Sequence, residues 1–410
     1  MAAVLLRPRT WIVPYIALWF AIGLLPIGPT DMDIFFWPSA KVAVTGHPLL
    51  VYSPRGQADY PNANGPVSLV PLSALGVVLN AFHAFDSQPW RRALALALFS
   101  VFLLLMGREA IRAVERIRGE EITSYARLLA YGAICLAPPL WQSLAGYGHI
   151  EQPVELWLLL VAVRWLDERR EINAGVAFAL AVLSRSSATL LALPLAIYSG
   201  RRGLAGMVRL GAATAVAGVA GLAPFLLADP ADVIHSLFTY RRDLMVGAGS
   251  IWSLTHGTSL QPLAQHWDMV PIIAGVIAAN AWLATRPGGL TQARLFAAMA
   301  LTSASFALLA KTVWPYYFAE VCLFGTIWAF GRWQVSEGPV RLALLPIAIS
   351  TFGLIAELGT EDGLTSIQIA QEGGAMFVMG TLTALWVGWL AAEPRPREAG
   401  MVAVPAPLQR

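Results

Sequence analysis

The chain has 410 residues, 57% of them hydrophobic and 13% charged, with a formal net charge of +3. Soluble domains carry about 25% charged residues, so this composition excludes an ordinary soluble enzyme and implies a helical protein whose first partner is the lipid bilayer. The slight basic excess lies in short breaks beside apolar stretches rather than along one face, which gives a nucleic-acid partner no footing.

In chain order, apolar stretches approaching the ~20 residues that cross a bilayer lie at 11–27, 90–107, 127–144, 153–167, 172–186, 187–199, 204–227, 269–285, 293–310, 317–333, 340–358 and 374–391. They predict an all-α polytopic membrane protein with about 12 transmembrane helices. The first stretch has the Arg7/Arg9 flank of a signal sequence, but no small-residue cleavage site follows it, so it reads as an uncleaved span. With the N-terminus inside, the positive-inside rule places Arg108, Arg112, Arg116, Arg118, Arg127, Arg169, Arg170 and Arg201 in cytoplasmic loops. That assignment needs 66–82 to lie in the outer interface, and Pro66, Pro71 and Gly76 do make it a poor straight helix. The large first external loop, 28–90, then carries the interfacial helices. Residues 1–392 form one integral domain, and 393–410, rich in Pro and Arg, form a disordered cytoplasmic tail.

Candidate chemistry gathers on the external side. "TDMDIFFWPSAKVAVTGHPLL" (30–50) sets Asp31 and Asp33 at the mouth of the first apolar stretch, where a charge near hydrocarbon costs roughly 2.5 kcal/mol or more. Thr30 with Asp33 fits a capping pattern, yet Pro38 sits too deep to open a helix capped at Thr30. From the residues alone, capping and catalysis stay equally open. Against the rule, Lys41, Arg185, Arg241, Arg242 and Lys311 face outward, and Lys41 and Lys311 are the only lysines. A single such cation reads as snorkelling to water. The set of Arg185, Arg241, Arg242 and Lys311 on one side reads equally as an anion-binding cavity, for which a lipid-linked phosphate or pyrophosphate is the natural ligand.

"AGYGHIEQPVELW" (145–157) brings His149 and Glu151 to another span mouth, as an exposed pair or as site residues. Trp37, Trp252, Trp314, Tyr316 and Tyr317 either anchor the interface or stack on sugar rings. Cys135 and Cys322 lie in apolar stretches as small hydrophobes, and no His or Cys pair has ligand spacing, so no metal is expected. With no Gly-rich phosphate loop and no nucleophile elbow, a nucleotide site has no visible basis and no cofactor is expected.

The order of these motifs resembles the polytopic glycosyltransferases of the C superfamily, and within it the bacterial mannosyltransferase-like glycosyltransferase family 87. "DIFFWPSAKVAVTGHPLLVY" (33–52) is similar to that group's Asp, aromatic and Gly-x-Pro pattern after the first span. "YPNANGPVSLVPLSAL" (60–75) resembles its Tyr-Pro-Pro segment, with "YPNAN" in place of that motif. "GYGHIEQPVELW" resembles its Gly-Gln span start, with His149 where a Gln is usual. "AVLSRSSATLLALPL" resembles its basic residue before a Leu-Pro run, with Arg185 where a Lys is usual, and "VWPYYFAEVCLFG" resembles a late span. The likeness covers roughly the first half of the chain plus one later span.

That resemblance implies a transferase in the bacterial inner membrane, with both termini cytoplasmic and the active site external. It implies transfer of a hexose, mannose first, from a polyprenyl-phosphate-sugar donor to a hydroxyl of a glycan or glycolipid acceptor, by an inverting single displacement. The family's catalytic Asp has an aromatic four residues on; Asp33 with Trp37 fits, making Asp33 the general base and Asp31 its orienting neighbour. Arg185 and Lys311, then Arg241 and Arg242, hold the donor phosphate. His149, Glu151, Trp37, Tyr60, Tyr316 and Tyr317 hold sugar or acceptor. A transporter or flippase of an anionic lipid-linked substrate is the alternative from another class, whereas a scaffold role explains the hydrophobicity alone.

Overall fold

The computed structural model of the chain describes residues 8–25, 30–53, 64–135, 137–201, 203–240, 244–247, 250–285, 291–333, 338 and 340–341. Tyr60, Arg241, Arg242, the 374–391 stretch, the 393–410 tail and all but the first two residues of 340–358 lie outside the described residues. The rest is about 82% helical and includes no strand.

The longer helices are α1 (Ile12–Gly23), α2 (Trp37–Val44), α3 (Leu69–Ala81), α4 (Gln88–Arg118), α5 (Ser124–Cys135), α6 (Glu151–Asp167), α7 (Glu171–Val182), α8 (Ala192–Gly200), α9 (Leu204–Ala228), α10 (Met269–Ala284), α11 (Gln292–Leu309) and α12 (Ala319–Arg332). The expectation of about 12 crossings is not met among the described residues. Among the described residues, three helices are long and apolar enough to cross a membrane: α4, α9 and α11. A fourth is counted if α5 and the bent continuation Pro139–Tyr147 make one span. The other apolar stretches among the described residues are cut into helices too short for the ~20 residues a crossing takes: 12 residues in α1 and α7, 17 in α6, 9 in α8, 16 in α10 and 14 in α12.

The cuts have local causes. After α7, the Ser184 hydroxyl donates back to the Leu180 carbonyl at 2.9 Å, a bond that competes with helix continuation. Arg185 then turns extended (φ −147°, ψ 124°) before a short 3₁₀ turn, Ser186–Leu191. After α11, Ala310 is extended, and Trp314 is held extended ahead of Pro315, as the pre-proline position demands.

The axis of the bundle is α4, 31 residues and so about 46 Å long. Pro lies in its first turn, and Gly119 ends it in the left-handed region (φ 74°), where a glycine costs least. Around it pack α1, α5, α6 and α12, with α11 on α12 and α7 on α6. α11 and α12 are apolar on nearly every side and nearly wholly buried, as such helices must be. α9 is the opposite case: only Leu210 is buried, while Val216, Val219 and Leu227 stand 70%, 68% and 86% exposed. An apolar helix this bare needs an apolar solvent around it.

The bundle has two chemically different ends. The starts of α4, α6 and α12 meet the end of α11 at one of them. At the other, Arg116 and Arg201 pair with Asp167 at 3.5 and 3.6 Å, Gln292 donates to Asp167 at 2.5 Å, and Arg118 donates to the Phe330 and Trp333 carbonyls at 3.1 and 3.2 Å.

Candidate active site

Three segments at the first end wind as π-helix: Met32–Phe36, Gln142–Tyr147 and His235–Thr239. Such wide turns are concentrated at functional sites. Here they surround one cavity of about 390 Å³, to which they and their flanks contribute Asp31, Phe35, Tyr147 and Ser236. Its volume is in the range of small-molecule sites. The 3₁₀ turn Pro315–Phe318 adds Tyr316 and Tyr317, and the break after α7 adds Arg185, Ser186 and Ser187.

The cavity holds a string of charge. Glu151, the first residue of α6, has Oε1 2.6 Å from His149 Nδ1, and His149 Nε2 lies 3.2 Å from Asp31 Oδ2. Burial alone would pull the His149 imidazole down, but the Glu151 and Asp31 carboxylates outweigh it and raise its pKa to about 9. His149 is therefore an imidazolium at neutral pH. The Asp31 side chain stays one-third exposed, open to whatever fills the cavity.

Close approach of two backbones makes this possible. Gly148 has φ 78°, and a Cβ there would lie 2.6 Å from Thr30 Oγ1 and 2.7 Å from the Met32 N. Only glycine lets the His149 loop settle on the Asp31 segment. Gly65 plays the same part on the cavity's far wall, where a Cβ would fall 1.8 Å from the Leu183 carbonyl oxygen. Its neighbour Asn64 lines the cavity.

Arg185 is the second cation of the site. It is 7% exposed, and its Nη1 is buried with no hydrogen-bond partner. The guanidinium stands 5.4 Å from the Tyr316 ring centre and 5.5 Å from that of Tyr317, within reach of a cation–π interaction. Tyr316 also packs 4.2 Å from the His149 ring and 5.0 Å from Tyr147, and its carbonyl accepts from Gln152 Nε2 at 3.0 Å. The aromatic wall and the two cations are thus one packed unit.

Several expected residues stand elsewhere. Asp33 is not among the cavity residues. Its Oδ2 accepts from the Thr30 N–H at 3.2 Å and from Gln88 Nε2 at 3.4 Å, and Oδ1 lies 3.6 Å from Arg91. This is the capping side of the alternative the residues left open. Residues two apart on a helical turn point to opposite sides, so the wall that receives Asp31 excludes Asp33. Trp37, expected beside the sugar, is buried against Phe85 at 5.6 Å with Arg91 over its ring. Lys311, expected on the donor phosphate, is a buried staple: Nζ donates to the Gln265 carbonyl at 2.8 Å and its N–H to Asp268 Oδ2 at 3.1 Å. Asp31, His149, Glu151, Arg185, Tyr316 and Tyr317 are brought together.

Three polar residues of the site escape a motif search: Gln152, Glu155 and Glu320, all buried. Their signal is simple, a lone polar or acidic residue inside an apolar run such as "QPVELWLLL" or "FAEVCLF". A scan against protein-family models finds no match to this chain, and a search of curated proteins finds none either.

Proposed function

We propose that the chain is a membrane glycosyltransferase that moves a hexose, mannose first, from a polyprenyl phosphate to a hydroxyl of a glycan or glycolipid. The observation that carries this reading is the shared cavity: an accessible carboxylate, Asp31, and a buried guanidinium with an unpartnered Nη1, Arg185, stand in one aromatic-walled space. The ordered motifs and their resemblance to polyprenyl-phosphate-dependent transferases support it further.

In the proposed reaction the Asp31 carboxylate takes the proton of the acceptor hydroxyl. The acceptor oxygen bonds to the anomeric carbon as the bond from that carbon to the phosphate oxygen breaks, inverting the centre. The departing lipid phosphate keeps the electron pair, and Arg185 stabilises its growing charge. Tyr316, Tyr317 and Tyr147 offer flat faces to the sugar, and the His149–Glu151 pair fixes the orientation of Asp31. We place the enzyme in a bacterial inner membrane with this cavity external and both termini cytoplasmic. The arginine-rich far end of the bundle supports that orientation.

The test uses membranes containing the full chain and radiolabelled polyprenyl-phosphate-mannose. Label is expected to move to an acceptor, and Asp31→Asn is expected to lower transfer roughly 10²–10⁴-fold while donor binding persists. Donor binding or movement across the membrane with no transfer of label would favour the transporter or flippase reading instead.

A further inference from the structure

Behind the cavity wall lies a second group of ionisable residues that the proposed reaction does not use. Glu155, one turn after Glu151 on α6, is fully buried, and neither of its carboxyl oxygens has a hydrogen-bond partner. Facing it are Glu320 from the start of α12, Arg185 from the break after α7, and Glu151 from its own helix. The Ser187 hydroxyl, on the cavity wall, donates to Glu320 Oε1 at 3.3 Å and so links this group to the cavity. The other helices packed on α6 send no charge here. On α4, Arg92 donates to the Ala145 carbonyl at 3.2 Å, and Glu109 pairs with Arg112 and Arg164. On α7, Glu171 pairs with Arg209.

The charge count poses the problem. Among the described residues, cavity and wall hold four carboxyl groups, Asp31, Glu151, Glu155 and Glu320, against two cationic side chains, His149 and Arg185. If all four ionised, the unpartnered guanidinium nitrogen, Arg185 Nη1, would sit in a net negative field that repels any anion. A carboxylate without a hydrogen-bond donor, held out of water beside a second carboxylate, gives up its charge by taking a proton. Glu155 is the group in that position.

We infer that Glu155 and Glu320 form a proton-binding pair behind the cavity, and that an anion bound at Arg185 is taken up together with a proton on this pair. The inference rests on the reading of Arg185 as the donor-phosphate site. An anion at the guanidinium weakens its attraction for the pair, so the carboxyls hold the proton more tightly. By linkage, the proton strengthens anion binding by the same factor.

Two measurements on the purified full chain separate the parts. The first is the infrared carboxylic-acid band of the ligand-free protein at neutral pH. The wild type is expected to show a band that Glu155→Gln removes, the amide being a neutral stand-in of the same shape. The second is binding of a short-chain prenyl phosphodiester, whose single charge does not titrate near neutrality, with proton uptake followed by an indicator dye in weak buffer at the higher pH where the ligand-free infrared band has fallen by half. Wild-type affinity is expected to fall by up to about tenfold per pH unit as the pair loses its proton. Glu155→Gln is expected to bind with no uptake and a flat profile. Absence of the band in the wild type overturns the pair. A band with binding but no uptake, or uptake retained in Glu155→Gln, overturns the coupling. A band without any binding of the probe overturns the phosphate role of Arg185, and the coupling with it, while the pair stands.

Discussion

The two ends of the helical bundle treat buried charge in opposite ways. At the arginine-rich end each carboxylate has a guanidinium in contact: Glu109 with Arg112 at 2.7 Å and Arg164 at 3.1 Å, Glu115 with Arg127 at 2.5 Å, Asp167 with Arg116 and Arg201. Unpartnered buried atoms occur there too, Glu109 Oε2 and the Nε of Arg118, Arg127 and Arg164, but each belongs to a side chain held by another contact. At the cavity end Arg185 Nη1 and both oxygens of Glu155 are buried with no hydrogen-bond partner, and neither side chain has an ion pair within 4 Å among the described residues. A buried group left unsatisfied costs about 1–3 kcal/mol, more when charged. The arginine-rich end is built for stability and the cavity end keeps polar capacity unspent, the usual mark of a site awaiting a ligand.

Substitutions sharpen the contrast. At the cavity end, Arg185→Gln is expected to lower hexosyl transfer roughly 10²–10³-fold, read as kcat in the label-transfer assay. Gly148→Ala comes next: its Cβ meets Thr30 and the Met32 backbone, and the strain should cost about 1–3 kcal/mol. A lower melting temperature together with weakened transfer would show it, since the His149 loop must back away from Asp31.

His149 supplies a pH dependence with a defined sign. Its folded pKa of about 9 stands above the ordinary 6.5, so its contribution is fully present below 6.5 and is lost as pH rises through about 9. Thermal unfolding of the wild type should therefore show a fall in stability over that window that His149→Gln lacks. The smallest effect belongs to the far end. Arg112, 39% exposed, is expected on replacement by Ala to cost under ~1 kcal/mol, with transfer unchanged. A large loss of transfer there would erase the distinction between the ends.

How much of this was readable beforehand follows from what each signal measures. Hydropathy counts apolar residues in a window and does not see where a helix breaks. It joined 172–186 as one crossing, although the Ser184 back-bond and the extended Arg185 end the helix there. That same break aims Arg185 into the cavity, so the residue stood out as a cation between apolar halves while its cause did not. The pair Asp31 and Asp33 was visible as a pair. Which of them faces the cavity depends on the π-turn that follows and on Gly148, neither of which a spacing to Trp37 encodes. Lys311 looked like an anion ligand because it is a cation at a helix end. Its partners, Gln265 and Asp268, lie more than forty residues away in sequence, beyond any local pattern. His149 with Glu151 was legible because the partners are two residues apart.

The most direct test of the account compares Asp31→Asn with Asp33→Asn in the label-transfer assay, with expression and donor binding measured for both. The account predicts that Asp31→Asn lowers transfer roughly 10²–10⁴-fold while Asp33→Asn keeps most of it and loses only the ~1 kcal/mol of a capping contact. Full transfer by Asp31→Asn, or loss confined to Asp33→Asn, would contradict it.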